Sequence, residues 1–458
     1  MHLHNFDLMT DTDINHLHAL FMGSTGVNTD SRTIKPGEIF FAIKGENFDG
    51  NEYAEKALEA GAAYAIVSAG SAAAESAGKD SRIIPVEDTL YTLKALARTH
   101  RCQMAPGGKR LPVIGLTGTN GKTTTKELIR AVLEKKYRVT ATQGNLNNEI
   151  GVPLSLLKIT DETQIAVIEM GASHPGDIKS LVEVSMPDYG LITNVGKGHL
   201  LGFGSYEGVR KTKGELYDYI RDTGGKIFLN EDLPYLQEMA SERGIEDIIP
   251  YGVNYDGVKI LPPDPEKPFI RMEIPVSCTE TCTLETNLVG RYNAENIMAA
   301  ISVGKYFGVP VAEIIEAISC YTPSNNRSQL TRTARNTLII DAYNANPVSM
   351  EAALDNLGTI PAGRKAAMLG DMLELGADSA AEHDRILKCV AGMGLVEAFF
   401  VGDEFGAAFS RCGTPAGCRH FGTSGQLAEY LEGRGLSGYT ILIKGSRGTH
   451  MENVIPAL

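Results

Sequence analysis
The chain has 458 residues, a formal net charge of −13 at pH 7 and a pI near 5.3. That length exceeds one ordinary hydrophobic core, so about two to four domains are expected. The acidic balance excludes the broadly basic surface that nucleic acids or anionic membranes require, while a local basic pocket for an acidic small molecule stays open.

Along the chain, "MHLHNFDLMT" (1–10) lacks a basic segment followed by an apolar run, and no apolar run is long enough to cross a bilayer. A cytoplasmic chain without leader or membrane span is expected. The 7 cysteines are odd in number and scattered, and Cys278 and Cys282 have no second pair of that kind. Reduced thiols explain them better than a disulfide framework or a zinc site.

Residues 1–104 mix short apolar runs, "EIFFAI" (38–43) and "AYAIV" (63–67), with helical patterns at 51–60 and 87–100. "APGGKR" (105–110) breaks both periods and reads as a linker. In 105–320, "PVIGLTG", "QIAVIEM" (164–170), "YGLITNV" (189–195) and "KIFLN" (226–230) alternate with helical stretches at 122–135, 176–184 and 206–220. Continuous apolar strands alternating with helices predict a mostly parallel sheet covered on both faces. The period-2 pattern of "IRMEIPV" within 258–288 predicts antiparallel strands, and helices follow near 293–306 and 310–319. Residues 321–458 alternate again, with strands "TLIID" (337–341), "KAAMLG" (365–370), "EAFFVG" (397–402) and "YTILIKG" (439–445). The fold class is therefore α/β in three parts: a mixed N-terminal domain, a central phosphate-loop domain and a C-terminal Rossmann-like domain.

The chemistry gathers at strand ends. "GLTGTNGKTTTKELI" (115–129) carries Gly121-Lys122-Thr123, the end of a phosphate-binding loop, although Leu116 stands where the full pattern has glycine. A strand enters this loop and a helix leaves it. Gly118 and Gly121 can then turn backbone N–H groups onto one anion, Lys122 can neutralise β- and γ-phosphate charge, and the Thr123 hydroxyl can ligate Mg2+. Glu169 ends a buried strand, where a carboxylate either holds Mg2+ or faces solvent. His199 lies in a glycine-rich loop after a further strand, and Lys211 and Lys213 on the next helix read by spacing as an ordinary solvated pair. Asp341 ends a strand and suits ribose hydroxyls. Asn344 and Asn346 suit a helix cap or turn, and Arg327 suits either the surface or a phosphate across a cleft.

Together "TGTNGKTTT" (117–125), Glu169 in "EMG", "ITNVGKGHL" (192–200) and "GRYNAENIMAA" (290–300) resemble the Mur ligase family, whose members form amide bonds with ATP. "DSRTIKPGEIFFAIKGENFDG" (30–50) extends the likeness to the N-terminal block. The runs "GNLNNEIGVPLSLL" (144–157), "GFGSYEGVRKTKGEL" (202–216), "DAYNANPVSM" (341–350), "MLGDMLELG" (368–376) and "KGSRGTHME" (444–452) are similar to one branch. That branch joins D-Ala-D-Ala to UDP-N-acetylmuramoyl-tripeptide, which argues against sister ligases, folylpolyglutamate synthase or a nucleotide-dependent switch. The resemblance implies a uridine-nucleotide domain (1–104), a central ATPase (105–320) and a C-terminal lid (321–458). It implies ATP contacts at Gly118, Thr119, Asn120, Gly121, Lys122, Thr123, Thr124, Asn296, Arg327 and Asp341. It implies a pair of Mg2+ ions held by Thr123, Glu169, His199 and a carbamate on Lys213, with Lys122, His199, Lys213 and Arg327 acting in catalysis. Ser31, Arg32, Asn145, Asn147 and Asn148 fall on the uridine-substrate side, and a monomer is expected. Tyr292, Ile340 and Asn51 depart from the family pattern.

Overall fold
The strands follow from runs of branched and aromatic residues, and their order brings three of the loops just described to one edge. The computed structural model describes residues 11–45, 48–105, 108–263, 268–276, 280–323, 327–361 and 363–458. Cys278, part of the "APGGKR" linker and part of the 321–330 boundary lie outside the described residues.

The N-terminal sheet is four-stranded and parallel, β1 (Gly26–Asn28), β2 (Glu38–Phe41), β3 (Tyr64–Ser68) and β4 (Ile83–Val86), in that order. The helical stretch expected at 51–60 begins as a 3-10 turn, Gly50–Tyr53, before the α-helix Ala54–Glu59. The helix Thr89–Gln103 starts at Asp88, whose side chain accepts the Tyr91 N–H. Its Leu93 and Leu96 share one core with Val113 and Val152 of the following segment. Its buried Arg101 pairs with Asp188 at 2.9 Å.

The central sheet comprises β5 (Val113–Thr117), β6 (Val139–Ala141), β7 (Ile165–Glu169), β8 (Tyr189–Ile192), β9 (Lys226–Asn230) and β10 (Ile248–Tyr251). Its spatial order is β10-β9-β8-β5-β7-β6, every pair parallel. β5 and β7 are buried along their whole length, as two covered faces require. The chain reverses direction across the sheet at β5, so the loops leaving β5, β7 and β8 open side by side at its carboxyl edge, where ligands bind in such folds. Register places Leu116 beside Glu169 and Thr117 beside Ile192. The helix Lys122–Leu133 packs Leu128, Ile129 and Val132 into a core shared with Ile297 and Ile301 of the helix Asn293–Tyr306. Each such side chain contributes about 1.5–3 kcal/mol on burial.

The expected antiparallel strands form a three-stranded sheet, β11 (Lys259–Ile260), β12 (Arg271–Pro275) and β13 (Thr281–Glu285). The third large sheet runs β14-β15-β19-β16-β17-β18. Its strands are β14 (Gln329–Arg332), β15 (Thr337–Asp341), β16 (Lys365–Gly370), β17 (Glu397–Val401), β18 (Cys418–Phe421) and β19 (Thr440–Lys444). All pairs are parallel except β14 with β15. The sequence pattern alone missed β1, β4, β6, β10, β14 and β18, each only three or four residues long. Among the described residues no helix is long and apolar enough to cross a membrane, and the six described cysteines are free.

Candidate active site
The loop after β5 explains the unusual Leu116. That residue is a fully buried strand position, and the turn begins at Gly118. Gly118 has φ +149, and a Cβ there would lie 1.9 Å from the Thr193 hydroxyl. Gly121 has φ +79, and a Cβ there would lie 2.5 Å from Asn296 Oδ1. Both positions need glycine for conformation and for close approach. The loop is braced from β8: the Thr193 hydroxyl donates to Asn120 O at 2.6 Å, and Asn194 O accepts the Thr119 N–H at 3.0 Å. Asn194 Oδ1 accepts the Asn120 N–H at 2.9 Å. Gly121 caps the helix without a side-chain bond, so the first helical N–H groups remain for an anion.

Glu169 stands beside this loop. Its Oε1 accepts from the Thr123 hydroxyl at 3.2 Å and from Asn147 Nδ2 at 2.8 Å. Its Oε2 is buried and has no hydrogen-bond partner among the described residues. An unpartnered buried carboxylate oxygen is costly, and here it lies next to a hydroxyl at the mouth of a phosphate loop. That donor set, hard oxygens with no thiolate, fits Mg2+. No cluster of three or more His, Cys, Asp or Glu forms a self-sufficient metal site among the described residues, so a cation here depends on added oxygen ligands such as phosphate. The segment carrying Asn147 is tied down by Lys126, fully buried, whose ammonium donates to Thr142 O at 2.5 Å and meets Glu127 at 2.8 Å.

Four basic side chains border the same edge. Lys122 donates to Gly118 O and Thr119 O at 2.7 and 3.0 Å, and its pKa falls to about 8, chiefly by desolvation, with Glu169 opposing and the Arg327 charge adding to the fall. Lys213 is not the solvated residue its spacing suggests. It is 2% exposed, and its ammonium lies 5.8 Å from the Phe203 ring centroid. Burial, then the charge of Lys122, holds its pKa well below that of an ordinary lysine. His199 is also held below the usual imidazole range, first by burial; Glu374 opposes this, while Lys122 and Lys213 push the same way. Arg327 lies 3.6 Å over the Tyr343 ring.

Other site candidates are bound elsewhere. Asn296 accepts from the Thr125 hydroxyl at 3.0 Å and donates to Asn293 at 2.8 Å, so it backs the phosphate loop. Asp341 gives Oδ2 to Lys444 at 2.6 Å and Oδ1 to the Ser328 N–H at 3.3 Å. Asn346 caps the helix Pro347–Thr359 in a reciprocal capping box with Ser349 and reaches Asn120 of the phosphate loop at 2.7 Å. Asn344 instead accepts from its neighbour Ala345 N–H. Asn148 caps the N–H of Gly151 at 2.9 Å, and Asn145 is exposed. Ser31 follows β1, and Arg32 is exposed and paired with Asp30 at 2.7 Å. Asn147, expected with these uridine-side residues, thus stands on the metal-type carboxylate.

Known proteins resemble this chain along nearly all of its length. Family models match in three stretches: "Mur ligase family, catalytic domain" over 24–101, "Mur ligase middle domain" over 116–304 and "Mur ligase, glutamate ligase domain" over 326–447. The UDP-N-acetylmuramoyl-tripeptide--D-alanyl-D-alanine ligase of Bacillus subtilis is 34% identical over 444 residues, covering 94% of this chain and 93% of its own. The chain belongs to the Mur ligase family. The Escherichia coli ligase of the same name is 33% identical, covering 94% and 93%. A crystal structure of MurF from Acinetobacter baumannii superposes with a TM-score of 0.82 at 28% identity, covering 97% of both chains. MurF ligase from Thermotoga maritima in complex with ADP gives 0.81 at 26% identity over 98% of both. Like other members of the family, the chain is an ATP-dependent ligase.

Several residues at this Mur ligase edge escaped sequence reasoning. Thr193 and Asn194 lay inside a recognised run, yet their bracing of the loop needs β8 next to β5. Lys444 and Glu374 also lay in recognised runs with no role attached. Lys126 gave one signal, a lysine on the buried side of the loop's helix.

Proposed function
We infer that this chain joins D-alanyl-D-alanine to the terminal carboxylate of UDP-N-acetylmuramoyl-tripeptide, with ATP converted to ADP and phosphate, in peptidoglycan precursor synthesis. The observation that carries the reading is Glu169: a buried, half-unpartnered carboxylate beside Thr123 of a phosphate loop, in a chain that matches a ligase of that name over 94% of its length.

A free carboxylate does not acylate an amine in water, because oxide is a poor leaving group. The substrate carboxylate oxygen attacks the γ-phosphorus, the P–O bond to ADP breaks, and an acyl phosphate forms. The amine of D-alanyl-D-alanine then attacks the acyl carbon, losing a proton, and inorganic phosphate leaves. The first step brings two anions together, so charge neutralisation governs its rate. In this reading Lys122 and Arg327 stabilise the transferring phosphoryl group, and the helix N-terminus beginning at Lys122 holds its oxygens. Thr123, Glu169, His199 and a carbamate on Lys213 would hold a pair of Mg2+ ions, which supply charge stabilisation on the phosphate oxygens. The buried, pKa-depressed Lys213 supports the carbamate assignment, because a neutral amine is the form that adds to CO2. Asp341 and Asn296 serve the nucleotide, and Ser31, Arg32, Asn145, Asn147 and Asn148 the uridine substrate. The partition into a uridine-nucleotide domain (1–104), an ATPase (105–320) and a lid (321–458) belongs to the same reading. So does a cytoplasmic location, since both nucleotide substrates are highly charged and do not cross membranes unaided, and a monomer is part of the same proposal.

The test offers purified chain ATP, D-alanyl-D-alanine and the tripeptide nucleotide carrying either lysine or diaminopimelate. One amide per phosphate, and no phosphate without both substrates, is expected. Full ATP turnover without either substrate sinks the reading. Lys213→Ala should lose activity and regain part of it with added short-chain carboxylic acids; failure of every such acid removes the carbamate.

A further inference from the structure
The run "MLGDMLELG" has no part in the chemistry above, yet it delivers a carboxylate to the metal edge. Nδ1 of His199 is screened from water and lies against Oε2 of Glu374, which follows β16 in the third sheet, close enough for an ion pair but not aligned as a hydrogen bond. Glu374 is fastened at its main chain too, where its carbonyl accepts the Leu201 N–H at 3.2 Å. Its backbone has φ +65, in the left-handed region that a glutamate seldom occupies. Its side chain is 58% exposed and that of His199 38% exposed. An exposed pair adds little to stability, so stability does not account for a strained backbone at this point.

Orientation does account for it. Imidazole can bind a metal through one ring nitrogen only when the proton sits on the other, and a carboxylate on that other nitrogen fixes both tautomer and ring plane. We propose that Glu374 is a positioning residue: it holds the Nδ1–H of His199 and leaves Nε2 free for a divalent cation, so that the metal site is completed by the third sheet. This rests on the reading of His199 as a metal ligand. Lys197, two residues earlier, meets Glu382 at 3.1 Å and Asp378 at 3.5 Å. It ties the His199 loop to the turn and helix that follow Glu374, away from the imidazole, which makes it the natural control.

The experiment has two readouts. In metal-free, nucleotide-free protein labelled with [15N]histidine, the His199 signal, assigned by its loss in His199→Gln, should report Nδ1–H with Nε2 unprotonated. Glu374→Ala should move it toward the Nε2–H tautomer. Mn2+ titrated with a non-hydrolysable ATP analogue, followed by electron paramagnetic resonance, should bind about 10- to 100-fold more weakly to Glu374→Ala. Glu374→Gln, which keeps an accepting oxygen, should lose less, and Lys197→Ala should match wild type. Metal-free ADP binding, unchanged in each variant, shows an intact fold. An unchanged tautomer in Glu374→Ala, or equal Mn2+ loss in Lys197→Ala, overturns the inference even if the wild type forms the amide. A wild type that forms no amide overturns the functional reading, whatever the tautomer shows.

Discussion
The central and third sheets present loops to the same reaction edge in different ways. The central sheet holds its loop from within: Thr193 and Asn194, one strand away, fix Asn120, and Glu169 sits in register beside Leu116. The third sheet commits its polar groups to one another. Asp341 and Lys444 are paired neighbours on β15 and β19, while Asn346 and Glu374 reach outward, to Asn120 and His199, as Asp378 and Glu382 do to Lys197. The lesson is a division of labour. Phosphate binding is preorganised inside one sheet, whereas completion of the site depends on contacts between two.

The predictions probe that contrast. Lys122→Ala should cut kcat at least about 10^2- to 10^3-fold with little change in folding, because it removes charge where charge develops; single-turnover ATP cleavage measures it. Lys444→Met leaves Asp341 without its partner, since Lys444 is 1% exposed. It should destabilise the third sheet by about 3 kcal/mol, read as lost amide-exchange protection in β15, β16 and β19, and Asp341→Leu added to it should restore most of that. A phosphate ligand favours the Lys122 ammonium, so the pKa near 8 rises on binding. ADP affinity should therefore be full below pH 8 and fall by up to about tenfold per unit above it, and calorimetry of Lys122→Met should lack that slope. Asn194→Ala should weaken ADP binding by about tenfold, as bonds within the loop are lost. Asn346→Ala should cost about 1 kcal/mol of helix capping and change ADP affinity by less than about twofold. Equal losses in the two asparagine variants would erase the distinction between the sheets.

The same contrast explains what the sequence discloses. Gly121-Lys122-Thr123 is legible because strand, turn and helix are contiguous, and Glu169 only beside that loop, since alone a strand-end carboxylate faces solvent as readily as it holds a cation. Lys213 misleads: its neighbours are polar, and only the packing of the helix Tyr206–Thr223 shows that it is buried. Asn147, expected on the uridine side, donates to Glu169 from the loop that follows β6, a contact no local pattern shows. The partners of Asp341 and His199 are 103 and 175 positions away, and β19 lies between β15 and β16 only through the crossover topology. No local pattern encodes that order.

The central claim is that the γ-phosphate passes to a carboxylate. With the terminal carboxylate of the tripeptide nucleotide labelled with 18O, each turnover should release inorganic phosphate carrying one labelled oxygen, detected by the 31P isotope shift. Phosphate free of label, with amide still formed, would contradict the account.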